Sequence, residues 1–121
     1  MMSQGPLEDF GAYMALFDLV VGDMEKLRSD PRTYRLVSQQ VGAADSICAN
    51  IEKGHGRSSR REYAHFLAIA RGSAREVRGR YIRLKHWLDQ QTIDDRPESC
   101  SEIIAILAKS IQTLRSTNGR H

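Results

Sequence analysis

The sequence predicts an all-α protein, an up-down-up-down antiparallel four-helix bundle. Three observations carry this. Apolar residues recur at spacings of three and four along nearly the whole chain, the period of a helix face, and strand-like alternation is almost absent. The pattern is interrupted at "SDP" (29–31), "GHGRSS" (54–59) and "QTIDDRP" (91–97). Amphipathic helices joined by links this short lie antiparallel to their neighbours with their apolar stripes inward, and 3–4 repeats favour near-aligned packing.

The first helix is expected over about residues 7–28. Phe10, Met14, Phe17, Val21 and Met24 form its stripe, Pro6 suits a first turn, and Glu8 and Asp9 complement the positive end of the helix dipole. The second is expected over 31–53, with Asp30 as N-cap and Pro31 at the first helical position. Tyr34, Val37, Val41, Ala44, Cys48 and Ile51 line its stripe, and Gly54 ends it by tolerating positive φ. The third is expected over 60–90, about 45 Å at 1.5 Å per residue. Its seam is Tyr63, Leu67, Ala70, Ala74, Val77, Tyr81, Leu84 and Leu88, and Gly72 and Gly79 offer close packing to a neighbour. The fourth is expected over 98–116, starting near Pro97 to Ser99, with Ile104, Leu107, Ile111 and Leu114 inward and a frayed tail "STNGRH".

At 121 residues the chain fits one domain, 1–121, able to bury a core without disulfides or metals. No apolar run approaches the roughly 18 residues that span a bilayer, so no membrane partner is expected. The start "MMSQGPLEDF" is acidic and lacks an apolar signal region, which points to the cytoplasm. Cys48 and Cys100 then read as reduced structural thiols. Cys48 falls on an apolar stripe, as a small buried hydrophobe rather than a nucleophile.

Net charge is only +3, but it is unevenly spread. Residues 1–30 carry six acids and two bases, and residues 57–86 carry nine bases and two acids. The positive charge can therefore act locally.

"GHGRSS" resembles a phosphate loop only superficially: no strand precedes it and the G-x-x-x-x-G-K-[ST] spacing is absent. A helix corner explains more of it, with Gly54 and Gly56 turning the chain and Ser59 and Glu62 forming a capping box. The free N–H groups at the helix start, beside Arg57, Arg60 and Arg61, remain an alternative seat for a nucleic-acid phosphate.

The pairs Glu52/His55 and Glu62/His65 have the Glu-x-x-His spacing of di-iron bundles. On a helical wheel His65 falls roughly 140° from the centre of the third seam, away from any interior metal. The first pair straddles the glycine corner. No Cys-x-x-Cys or H-E-x-x-H occurs, and His55, His65, His86 and His121 stand isolated. No cofactor, metal or catalytic residue is expected.

Arg71, Arg75, Arg78 and Lys85 recur at helical spacing and form a basic stripe beside the seam, continued at the corner by Arg57, Arg60 and Arg61. One reading makes the stripe a solvated or assembly face, paired with acids of the first helix (Asp18, Asp23, Glu25) or of another subunit. The other makes these seven residues contacts to the phosphates of RNA or DNA. Aromatic residues do not interleave with the arginines, so stacking on single strands is poorly served.

The run "SICANIEKGHGRSSRREYAHFLAIARGSARE" resembles the bacterial four helix bundle protein family, also called the intervening-sequence proteins, encoded in insertions within large-subunit ribosomal RNA genes. Ser46, Ile47, Asn50, Ile51, Gly54, Gly56 and Arg57 match its first motif, and Phe66, Leu67, Ile69, Ala70, Gly72, Ser73 and Glu76 its second. Cys48 replaces a usual proline, and the familiar first-helix tryptophan is missing near Gly22. The resemblance covers residues 10–115. It implies a cytoplasmic homopentameric ring and brings no catalytic set. A similar relative, the accessory protein of diversity-generating retroelements, is a basic pentamer that engages a reverse transcriptase and nucleic acid. The expectation is a non-enzymatic oligomeric bundle whose basic surface meets nucleic acid or a nucleic-acid enzyme. An interaction scaffold is the second reading, and an enzyme with a bundle-core metal the third.

Overall fold

A computed structural model describes residues 10–116. Four helices follow one another: α1 Phe10–Glu25, α2 Tyr34–His55, α3 Arg60–Arg83 and α4 Gln90–Ser116. Single 3₁₀ turns, Pro31–Thr33 and Leu84–His86, lead into α2 and out of α3. No strand occurs among the described residues. Each helix packs on the next, and α4 meets α1 over a short stretch, closing the four-helix bundle. The features expected at Pro6, Glu8, Asp9 and His121 lie outside the described residues.

α1 buries a different face from the one expected. Tyr13, Leu16, Val20, Asp23, Met24 and Leu27 are buried, whereas Met14 and Val21 are 40% and 41% exposed and Phe17 is half-buried. Met24 belongs to both stripes and is buried as expected; otherwise the two lie one residue apart. A helix this apolar on all sides satisfies the 3–4 repeat in either register, so periodicity could not choose between them.

Asp30 caps the turn before α2: its Oδ1 accepts the Arg32 N–H at 2.9 Å, and its carboxylate pairs with the Arg32 guanidinium at 2.8 Å. These bonds hold the Asp30 pKa at about 2. In α2 Ala44, Cys48 and Ile51 are buried as expected, with Ala43, Ile47 and Gln40 beside them, while Tyr34 at the helix start is exposed. The helix runs through Gly54 to His55, and Gly56 closes it with a right-handed φ of −80°. Gly54 is needed for space, not for positive φ: a Cβ there would lie 2.9 Å from Tyr63 Cδ1 and 3.2 Å from Phe66 Cβ. Conversely, a Cβ on Gly72 would meet nothing within 4 Å, so Gly72 opens no close packing in the monomer.

The α3 seam from Leu67 to Leu88 is buried at every expected position, and Tyr63 is half-buried. The helix itself stops at Arg83, and α4 begins eight residues earlier than expected. Asp89 is the cap that decides this. Its Oδ1 accepts the Thr92 N–H at 2.8 Å, an arrangement suited to a helix start. Gln90–Asp94 and Gln91–Asp95 side-chain bonds of 2.8 and 2.9 Å then span the first turns. Pro97, expected to open α4, lies inside it.

One buried polar cluster ties the ends of three helices. Asp23 of α1 accepts from the Tyr81 hydroxyl of α3 at 2.6 Å and from Arg96 Nε of α4 at 2.7 Å. Burial, then the Asp23 bond, drives the Tyr81 phenol far above its ordinary pKa. The Asp23 bond raises Arg96.

Candidate nucleic-acid interface

The basic residues separate by which neighbour their helix face meets. At the N-terminus of α3, Ser59 Oγ accepts the Glu62 N–H at 3.1 Å, one half of the expected capping box; the reciprocal side-chain bond is not formed. Fixed in this way, the first turn of α3 lies beside the last turn of α4. A cavity of about 270 Å³ opens between them, lined by Arg60, Arg61, His65, Leu114 and Arg115. A second depression of about 420 Å³ follows along the same helix pair, lined by Arg71, Ile111, Gln112 and again Arg115. Arg115 therefore joins the corner arginines to the stripe.

Farther along α3, Arg78 Nη1 donates to Ser101 Oγ of α4 at 3.1 Å. Arg71 and Arg78 are half-buried against α4, and the Arg71 Nε is buried without an acceptor. Arg75 is exposed, and on the helical wheel it stands next to them. Two predicted residues part from this group. Arg57 folds over the Phe66 ring, its Cζ 4.9 Å from the ring centroid. Lys85 is exposed on the 3₁₀ turn beyond the end of α3.

Asp18, Asp23 and Glu25 do not pair with the stripe. Asp23 binds Arg96, Glu25 pairs with Arg28 at 2.9 Å, and Asp18 is exposed. Among the described residues no ion pair engages Arg61, Arg71, Arg75, Arg78 or Arg115. Sequence reasoning missed Arg115. The signal was its place directly after Leu114 of the α4 stripe, but using it required the register of α4 against α3.

Other chemistry is sparse. No group of three His, Cys, Asp or Glu side chains that could hold a metal occurs among the described residues, and Glu52, His55, Glu62 and His65 are all exposed. Cys48 Sγ donates to the Tyr13 carbonyl at 3.6 Å. Burial first, then the nearby carboxylates of Asp45, Glu52 and Asp18, pushes its pKa up to about 11. Burial pushes Cys100 up to about 11 as well. Neither thiol is a ready nucleophile at neutral pH.

Comparisons with known proteins agree with this architecture. A protein of unknown function from the S23 ribosomal protein family of Bacteroides thetaiotaomicron has the same fold in its crystal structure. Its TM-score is 0.77 at 20% identity, covering 84% of this chain and 96% of that one. No curated protein matches the chain. The family model described as 23S rRNA-intervening sequence protein matches residues 13–109, which include all of α2 and α3 and most of α1 and α4. The chain therefore belongs to the 23S rRNA-intervening sequence protein family.

Proposed function

We propose that this protein is a non-enzymatic, oligomeric helical bundle of the cytoplasm that binds nucleic acid through the α3–α4 face. The observation that carries the reading is the row of Arg60, Arg61, Arg115, Arg71, Arg75 and Arg78 along one helix pair, in which no ion pair among the described residues engages Arg61, Arg71, Arg75, Arg78 or Arg115. Phosphate contacts from such a row supply affinity and little sequence preference. In the homopentamer that the family resemblance implies, the row repeats fivefold and its field adds up. A nucleic-acid enzyme such as a reverse transcriptase would meet the same charge through its bound strand. No described helix is long and apolar enough to cross a membrane, and none of this chemistry calls for a cofactor.

The test is binding to structured RNA and duplex DNA across a salt series, after bound nucleic acid is stripped from the protein. Each phosphate contact contributes about −0.7 to −0.9 to the log–log slope. Charge reversal of Arg71, Arg75 and Arg78 should flatten that slope in a still-folded oligomer; unchanged binding would sink the reading.

A second reading, an interaction scaffold whose basic stripe serves assembly, draws on α1. Its Met14 and Val21, two turns apart on one face, are each about two-fifths exposed, an apolar patch on the outside of the bundle. On that reading the same arginine reversal splits the oligomer, and RNA binding is absent from the start.

A further inference from the structure

A different surface carries an unmet charge. Between α2 and α3 lies an open groove of about 600 Å³, lined by Gln39, Gly42, Ser46, Ser73, Glu76 and Arg80. Arg80 is only 9% exposed. Its Nη1 donates to Gln40 Oε1 at 2.9 Å, and Gln40 in turn donates to the Val77 carbonyl at 3.0 Å, so the guanidinium is held in place. Its Nε is buried with no acceptor, and among the described residues no carboxylate pairs with it. Glu76, one turn earlier on α3, is exposed at the groove and makes no such pair. Burial and the neighbouring Arg83 both disfavour the Arg80 charge, and Glu76 offsets this in part. A cation taken out of water normally brings an anion with it, because its desolvation is otherwise uncompensated.

The same groove holds a second spare donor. Ser73 donates to Ser46 Oγ at 2.8 Å, and Asn50 Nδ2 donates to that oxygen at 3.0 Å. Whichever serine donates to the other, one hydroxyl proton is left over, and no protein acceptor meets it. Ser73 and Arg80 stand seven residues apart on α3, about 10 Å along the axis. The groove therefore offers an unmet cation at Arg80 and a spare donor two helical turns away, with the Glu76 carboxylate between them on α3, and its complement places acceptors at both ends, the one at Arg80 anionic. The groove is open along its length, unlike a pocket that encloses a small molecule. Gly42 lines it, and a Cβ there would meet nothing within 4 Å, which leaves room for another backbone to approach.

We propose that the α2–α3 groove docks a helical segment of a separate partner protein bearing carboxylates two turns apart, with Arg80 receiving one of them. The probe is a 20-residue alanine-based helical peptide with two glutamates seven positions apart; the control carries glutamines instead. Nitrogen-15 NMR follows the Arg80 Nε–H signal and the amides of Ser46 and Ser73. The glutamate peptide should shift all three saturably, and the control should not. Gly42→Leu, whose Cβ meets nothing within 4 Å and whose isobutyl group adds bulk at the groove wall, should weaken binding at least tenfold. Arg61→Glu with Arg115→Glu should leave it unchanged, which separates this site from the α3–α4 face. The Gln40→Leu/Arg80→Met double variant should fold with a Tm at or above the parent and lose the peptide. The proposal is overturned by no shift at millimolar peptide, by an equal shift with the control, or by binding that survives Gly42→Leu. A lower Tm in the double variant would make Arg80 a structural residue. A changed oligomeric mass in Gly42→Leu would assign the groove to a second copy of this chain instead.

Discussion

Removing the Asp23 carboxylate tests whether the bundle's closure rests on one buried cluster. Asp23 is 2% exposed and accepts from Tyr81 and from Arg96, whose side chain is 18% exposed. Asp23→Ala leaves a guanidinium and a phenol in the interior with no acceptor. Breaking a buried pair in this way costs about 3–5 kcal/mol. For a chain of this size that is a fall of roughly 10–25 °C in Tm, taking a few degrees per kcal/mol. Arg96→Met strands the carboxylate instead and should cost a similar amount. The double replacement Asp23→Leu/Arg96→Met leaves no uncompensated charge, and it should recover most of the loss because apolar substitutes for buried pairs are often neutral. The assay is urea unfolding of the parent, both single variants and the double variant, read as a double-mutant cycle. A coupling of several kcal/mol is expected. Single variants that each lose under about 1 kcal/mol, or a cycle that is simply additive, would refute the reasoning and leave α1 held by its apolar contacts alone.

Two glycines should respond with opposite signs. Gly54→Ala drives a methyl against Tyr63 and Phe66 and should destabilise by about 1–3 kcal/mol, less a helix-propensity gain of up to ~1, whereas Gly72→Ala meets nothing and should stabilise by up to ~1; thermal melts of both decide it. Asp89→Ala removes the cap of α4 and should cost about 0.5–2 kcal/mol in urea unfolding. Stability should fall as pH rises. Cys48 and Cys100 are raised from 9.0 to about 11, so their contribution is full below pH 9 and lost by about 11, and Tyr81 adds a further loss above pH 10; at the other end, the Asp30 contribution fades as pH drops from 3.8 towards 2. Unfolding followed at pH 7, 9 and 10.5 tests the first part, and a flat profile would contradict it. Arg115→Glu should reduce the salt slope of RNA binding about as much as Arg71→Glu does, because one side chain serves both depressions; an effect confined to Arg71 would remove Arg115 from the face.

Much of the helical plan was legible in the chain. The α3 seam, the Asp30 and Ser59 caps and the buried stretch of α2 from Ala44 to Ile51 follow from local spacing. The α3–α4 junction was not read correctly, because Pro97 is a familiar helix opener while Asp89 with Thr92 is an equally good one that the apolar pattern did not mark. Of the seven predicted basic residues, the structure gathers Arg60, Arg61, Arg71, Arg75 and Arg78 along one helix pair and sends Arg57 and Lys85 elsewhere.

Local chain chemistry specified four helices and most of their limits, the α3–α4 junction excepted, because the 3.6-residue period and the capping groups act over a few neighbouring residues. Tertiary structure decided which face of α1 turns inward, since an all-round apolar helix has no preferred side until neighbours cover one. It also decided that Arg115 joins the stripe, that Asp23 serves Tyr81 and Arg96 rather than the arginine row, and that Arg80 lies buried without a carboxylate. These outcomes depend on the register of one helix against another. That register is set by packing between residues dozens of positions apart, which no local pattern in the chain encodes.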